Sequence, residues 1–168
     1  NESGRVIYDG GCFIASEGKL LAQSEQFRFV DGHITCANLE LDAARSHRWH
    51  GYNYEAALNS KNDVIIENFK WPEVVPDSQG IQCPNPLSKE EELTKAISLG
   101  LFDYARKSRP RGFVVSLSGG ADSSAVAILC AGAWHYGVKE RGHAQASLDF
   151  GLGPQKAQFS DVLLCLYQ

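Results

Sequence analysis

Three observations along the 168-residue chain predict an α/β fold. The first forty or so residues are short apolar runs broken by Asp-Gly and Glu-Gly pairs, the pattern of antiparallel strands. Ser88-Lys89-Glu90-Glu91 is a capping box, which opens a helix. The apolar run Gly112-Phe113-Val114-Val115 leads straight into SLSGGADSS, residues 116–124, and then into small, helix-compatible residues. That order is the strand–loop–helix unit from which parallel sheets are built. With 43% hydrophobic and 21% charged residues, the chain has material for one core or two small ones.

Each element follows from its residues. Val6-Ile7-Tyr8, then Cys12 to Ala15, Lys19 to Gln23, Phe27 to Val30 and His33 to Leu41 read as strands of a meander. Glu17-Gly18 and Asp31-Gly32 supply turns between them. Residues 42–87 change character: Trp49, Tyr52, Tyr54 and Trp71 are scattered among polar residues, and Pro72, Pro76, Pro84 and Pro86 cluster. This is a long irregular connection and the natural domain boundary. From Ser88 a helix is expected with Leu93, Ala96, Ile97, Gly100, Leu101 and Tyr104 on its apolar face, ended by Pro110 and Gly112. A strand at 113–117, a loop, and a helix from Ser123 to about Ala133 come next. Gly142 to Pro154 reads as a loop, and Asp161 to Gln168 as the start of an apolar helix.

The stretch at 116–124 carries the chemistry. A strand, a glycine-rich turn and a helix N-terminus together form an anion site, because the first helical amides lack acceptors and the helix dipole is positive there. Gly119 and Gly120 admit a close ligand and any left-handed backbone the turn needs, while Ser118, Ser123 and Ser124 add hydroxyl donors. Asp122 would repel a phosphate unless a cation lay between them, which points to a Mg²⁺ ligand. A serine-rich helix cap without a ligand is the plainer alternative. The pattern G-x-x-x-x-G-K-[ST] is not met, since no lysine follows the glycines, and neither is G-x-G-x-x-G.

What remains, S-G-G-x-D-S at residues 118–123, resembles the signature of the ATP pyrophosphatase superfamily. Upstream, Asn1 to Ile14 with Tyr8-Asp9-Gly10-Gly11, followed by Gly18-Lys19-Leu20-Leu21-Ala22-Gln23, resembles the late strands of a nitrilase-type amidase domain. The two together, with Pro86-Leu87-Ser88 and Leu101-Phe102-Asp103-Tyr104-Ala105, resemble glutamine-dependent NAD synthetases. The resemblance implies the C-terminal strands of a nitrilase-like α-β-β-α sandwich followed by the start of a Rossmann-like adenine-nucleotide-hydrolase sheet. It divides the chain into a glutaminase part at 1–48, a linker at 49–87 and a synthetase part at 88–168. It implies an ATP-dependent ligase that amidates deamido-NAD through an adenylated intermediate, using ammonia released from glutamine, in a homo-oligomer. ATP and pyrophosphate would lie on Ser116, Leu117, Ser118, Gly119, Gly120, Ala121, Asp122, Ser123 and Ser124, with Mg²⁺ on Asp122. The family's Glu–Lys–Cys glutaminase triad is expected upstream of Asn1, so the chain reads as an interior slice with no catalytic residue of its own. Residues 136–162 match the family less clearly and receive no role.

Two other readings stay open. A nucleotide-binding fragment without turnover would carry the same loop. A different pyrophosphatase, such as a tRNA thiolase, would bring a basic face or a reactive cysteine beside the loop. The net charge of −4 and the absence of a long basic run speak against a nucleic-acid partner. No apolar stretch approaches a membrane span and no signal-peptide layout is present, which makes the cytoplasm the expected compartment. Cys12, Cys36, Cys83, Cys130 and Cys165 are too dispersed for a disulfide framework or a zinc knuckle and read as buried, reduced thiols. His47 and His50 lack ligand partners at metal spacing.

Overall fold

The computed structural model describes residues 6–40, 42, 46, 67, 68, 70, 83–153 and 157–167. The predicted linker, with its aromatic residues and two of its four prolines, Pro72 and Pro76, therefore lies largely outside the described residues. Two compact units are present. One comprises residues 1–12, 24–34 and 84–168, and the other comprises residues 13–23 and 35–83.

The second unit contains a hairpin. Strand β1 (Phe13–Ser16) pairs antiparallel with β2 (Lys19–Gln23) through the Glu17-Gly18 turn, with a register shift between Ile14 and Ala15. Both turn residues have positive φ, 53° and 73°, as a tight two-residue hairpin turn requires. These are the predicted second and third strands.

The other predicted strands do not form. Residues 7–8 and 33–40 adopt no regular element, and Val6 makes only an isolated bridge. Phe27 to Val30 is irregular for a specific reason: its aromatic side chains are claimed by helices of the first unit. Phe27 has φ 54° and Phe29 is 1% exposed. The Phe29 amide donates to Glu140 Oε2 at 3.0 Å, where a strand would have used a neighbouring carbonyl.

In the first unit, α1 (Lys89–Ser108) begins at the predicted capping box. Ser88 Oγ accepts from the Glu91 amide at 3.2 Å, and Glu91 accepts from the Ser88 amide at 2.9 Å. The helix ends with Arg109 in the left-handed region, φ 48°, just before Pro110. Its buried stripe is Ser98, Leu99, Phe102 and Ala105, whereas Leu93 and Tyr104 are exposed. The predicted face is thus rotated by about one residue. Fully buried Ser98 is tolerated because its hydroxyl donates to the Leu129 carbonyl at 3.3 Å.

Strand β3 (Phe113–Leu117) is as predicted, and α2 (Ala121–Arg141) starts two residues earlier and runs eight residues further than expected. The segment read as a loop after Gly142 instead contains α3 (His143–Asp149). The terminal apolar stretch holds one short turn, α4 (Phe159–Val162), followed by strand β4 (Leu163–Tyr167) in place of the expected helix. Strand β4 pairs parallel to β3, from Phe113↔Leu163 to Leu117↔Tyr167. A short apolar run satisfies either geometry locally, and the vacant edge of β3 decides it.

Helices α1 and α2 pack around an aromatic cluster. Phe29 lies 5.3 Å from both Phe102 and Tyr136, centroid to centroid, and Phe150 lies 5.9 Å from Phe102 and 5.5 Å from Trp134. Gly137 is buried where the Phe102 ring presses on α2. Ion pairs fasten residues 24–34 of this unit to the same helices. Arg28 Nε meets Glu140 at 2.8 Å, and Asp31 accepts from both Arg106 and Arg141. Arg141 also meets Asp149 at 2.7 Å. The Arg141 hydrogen bond, helped by the positive charges of Arg106 and Arg141, holds the Asp31 carboxyl below its ordinary value against the opposing effect of desolvation.

The cysteines correct another expectation. Cys12, Cys36, Cys83 and Cys165 are exposed, and Cys130 on α2 is buried. Cys12 and Cys36 lie outside the strands that were to bury them. Burial pushes the Cys130 thiol up, as expected for an inert core sulfur.

Candidate functional site

The polar loop lies at the carboxyl end of β3, and its conformation follows from its small residues. Gly119 has φ 80°, in the left-handed region that a side chain disfavours. Gly120 is the N-cap of α2, with extended backbone and no side chain to accept from the helix. The first intrahelical bond runs from the Ser124 amide to the Gly120 carbonyl at 3.3 Å. The amides of Ala121, Asp122 and Ser123 therefore precede the ladder and point out of the helix end, where the dipole is positive.

The serines hold this geometry. Ser123 Oγ and Ser124 Oγ donate to the Gly120 carbonyl at 3.1 and 2.9 Å. The Ser118 amide donates to Ser123 Oγ at 3.3 Å, and the two hydroxyls of Ser118 and Ser123 lie 3.3 Å apart. The hydroxyls thus brace the loop across its neck. Ser116, Ser118, Gly119, Gly120, Ala121, Asp122 and Ser124 are exposed, while Leu117 and Ser123 are half-buried. The nine predicted residues run without a break from the end of β3 (Ser116, Leu117) through residues 118–120 into the first turn of α2 (Ala121, Asp122, Ser123, Ser124).

Asp122 occupies the first turn of α2 and is exposed. A carboxylate there gains from the helix dipole whether or not a cation is near. Among the described residues no group of three or more His, Cys, Asp or Glu side chains is placed to hold a metal ion. A single carboxylate beside open amides does suit Mg²⁺, which takes one or two carboxylates and completes its shell with phosphate oxygens and water.

Strand β4 contributes a residue that the sequence pattern did not disclose. Tyr167 pairs with Leu117, so it stands at the carboxyl end of the neighbouring parallel strand, level with the loop. Its side chain is 83% exposed. The Tyr167 hydroxyl lies 4.0 Å from the position that a Cβ on Gly119 would occupy. Five apolar residues, Leu163 to Tyr167, have the length of a strand, and that was the signal available.

Comparison with known proteins gives a consistent picture. Residues 93–148 match the family described as NAD synthase. The chain is 35% identical over 133 residues to a glutamine-dependent NAD(+) synthetase of Oryza sativa subsp. indica, covering 76% of this chain and 18% of that protein. It is 33% identical over 138 residues to the glutamine-dependent NAD(+) synthetase of Homo sapiens, covering 74% of this chain and 18% of that one. The crystal structure of a glutamine-dependent NAD(+) synthetase from Cytophaga hutchinsonii superposes on the whole chain with a TM-score of 0.63 at 30% identity, over 24% of its own length. The chain spans less than a quarter of the length of these proteins. No helix among the described residues is long and apolar enough to cross a membrane.

Proposed function

From the chain's membership of the glutamine-dependent NAD synthetase family, over a slice of that family's length, we propose that it serves ATP-dependent amidation of deamido-NAD to NAD. Ammonia released from glutamine is the nitrogen donor, and the nicotinate carboxylate is adenylated before ammonia displaces AMP. The observation that carries this reading is the loop itself. Open helix amides and a left-handed glycine at the carboxyl end of a parallel strand, within the residues that match the NAD synthase family, make a seat for pyrophosphate.

In this reading Gly119 lets the backbone close on the ligand, and the amides of Ala121, Asp122 and Ser123 donate to phosphate oxygens. Ser123 and Ser124 keep those amides preorganised through the Gly120 carbonyl and Ser118 braces Ser123, so little reorganisation is needed as charge develops on the departing pyrophosphate. Asp122 is the Mg²⁺ ligand, and the ion when bound neutralises phosphate charge. Residues 1–48 belong to a nitrilase-like glutaminase, residues 49–87 to a linker, and residues 88–168 to the Rossmann-like synthetase part. The assembly is a cytoplasmic homo-oligomer.

The test is AMP formation from ATP and deamido-NAD with ammonia as donor, measured on the full protein. Asp122→Asn should lower the rate by about a hundredfold, the scale on which loss of one charge-stabilising group acts. It should also raise the Mg²⁺ concentration needed for half-maximal rate. An unchanged rate and Mg²⁺ requirement would remove Asp122 from the metal role.

A further inference from the structure

We propose that the Tyr167 hydroxyl is a binding donor of the loop site, reaching a phosphate oxygen from the β4 side. The inference rests on the reading of residues 116–124 as a phosphate seat and adds a residue to it. Two features of the structure single Tyr167 out. First, the parallel register sets it opposite Leu117, so it shares with the loop the sheet end at which open α/β sheets take their ligands. Second, its hydroxyl lies 4.0 Å from where a Cβ on Gly119 would be, with no side chain in between because position 119 is glycine.

The chemistry of the residue fits that place. A phenol offers one O–H donor on a rigid ring with few rotamers to lose, and that hydroxyl has no hydrogen-bond partner among the described residues. A neutral donor beside open helix amides adds attraction for an anion from the β4 side of the seat.

The experiment is calorimetric binding of two probes, Mg·ATP and magnesium pyrophosphate, to the full protein and its Tyr167→Phe and Tyr167→Ala variants. Tyr167→Phe should weaken both probes by about tenfold, the scale of one hydrogen bond to a charged acceptor. Tyr167→Ala should weaken pyrophosphate no further. Thermal midpoints are measured alongside, so that a loss of affinity is read only in variants that remain folded. Wild-type affinity for both probes in Tyr167→Phe would overturn the inference and leave the loop reading intact. A loss confined to Mg·ATP would also overturn it, since the hydroxyl would then face the nucleoside. A wild-type protein that binds neither probe would sink the loop reading first, a result distinguishable from any effect of the variants.

Discussion

Gly137 shows how little room single residues leave in this fold. A Cβ there would lie 2.5 Å from one Phe102 ring carbon and 3.0 Å from the next, and Phe102 is fully buried. Overpacking of this kind costs about 1–3 kcal/mol, and the helix propensity gained from alanine offsets up to about 1 kcal/mol. Gly137→Ala should therefore lower stability by about 1–2 kcal/mol, read as a reduced urea midpoint at unchanged slope. A stabilised variant would show that the ring moves aside freely. Gly119 answers to a different constraint, because nothing crowds its missing side chain and only its φ of 80° selects glycine. Gly119→Ala should distort the loop and reduce pyrophosphate binding while shifting the thermal midpoint little. The two glycines look alike as letters. Gly119 was legible beforehand because it stands in a turn between a strand and a helix, whereas Gly137 takes its meaning from a ring 35 residues away.

At the scale of elements, local chemistry decided some boundaries and tertiary contacts decided others. The capping box of α1, the Glu17-Gly18 hairpin and the apolar start of β3 were readable because the atoms that satisfy them lie within a few residues. The segment containing Phe27 and Phe29 alternates like a strand, yet its aromatic residues belong to the helical core. Phe29→Ala should cost about 3–5 kcal/mol, the range for removing a buried aromatic. It should do so without loss of the α1 or α2 helical signal in circular dichroism. A cost below about 1 kcal/mol would mean that the segment is not integral to the core. The rotated face of α1 has the same origin. Leu93 and Tyr104 satisfied the helical period, but Phe102 is the residue that meets Phe29 and Phe150. Sequence period gives a stripe, and the neighbouring aromatics choose which stripe faces inward.

On the scale of the whole molecule, the first unit is bound across long sequence separations by charge as well as by rings. Asp31 meets Arg106 and Arg141, and Arg141 also meets Asp149. Because the folded state lowers the Asp31 pKa, this contribution is present above the ordinary carboxylate range. It fades as pH falls from about 4 through the lower folded value. Asp31→Asn should thus be less stable than wild type at about pH 7 and pH 5, with the difference narrowing as the pH falls below about 4. Urea midpoints across this pH range check this, and a difference that does not narrow at all below about pH 4 would place the effect in packing. None of these partners was predictable from spacing. The loop at 116–124 was, because a contiguous stretch from strand to helix holds all of its candidate residues. Tyr167 was not, since its place depends on which strand lies beside β3.

The parallel register between β3 and β4 also constrains the order in which the chain acquires structure. Phe113 and Leu163 are partners about fifty residues apart, and a parallel pair cannot be closed by a tight turn. The entropy of closing that long loop must be met before any ladder bond forms, whereas α1 and α2 gain their bonds locally. The amides of β4 should accordingly gain protection from hydrogen exchange after those of α1 and α2 in a refolding experiment. The loop at 116–124 would then gain its β4 neighbour, Tyr167, only after both helices have formed.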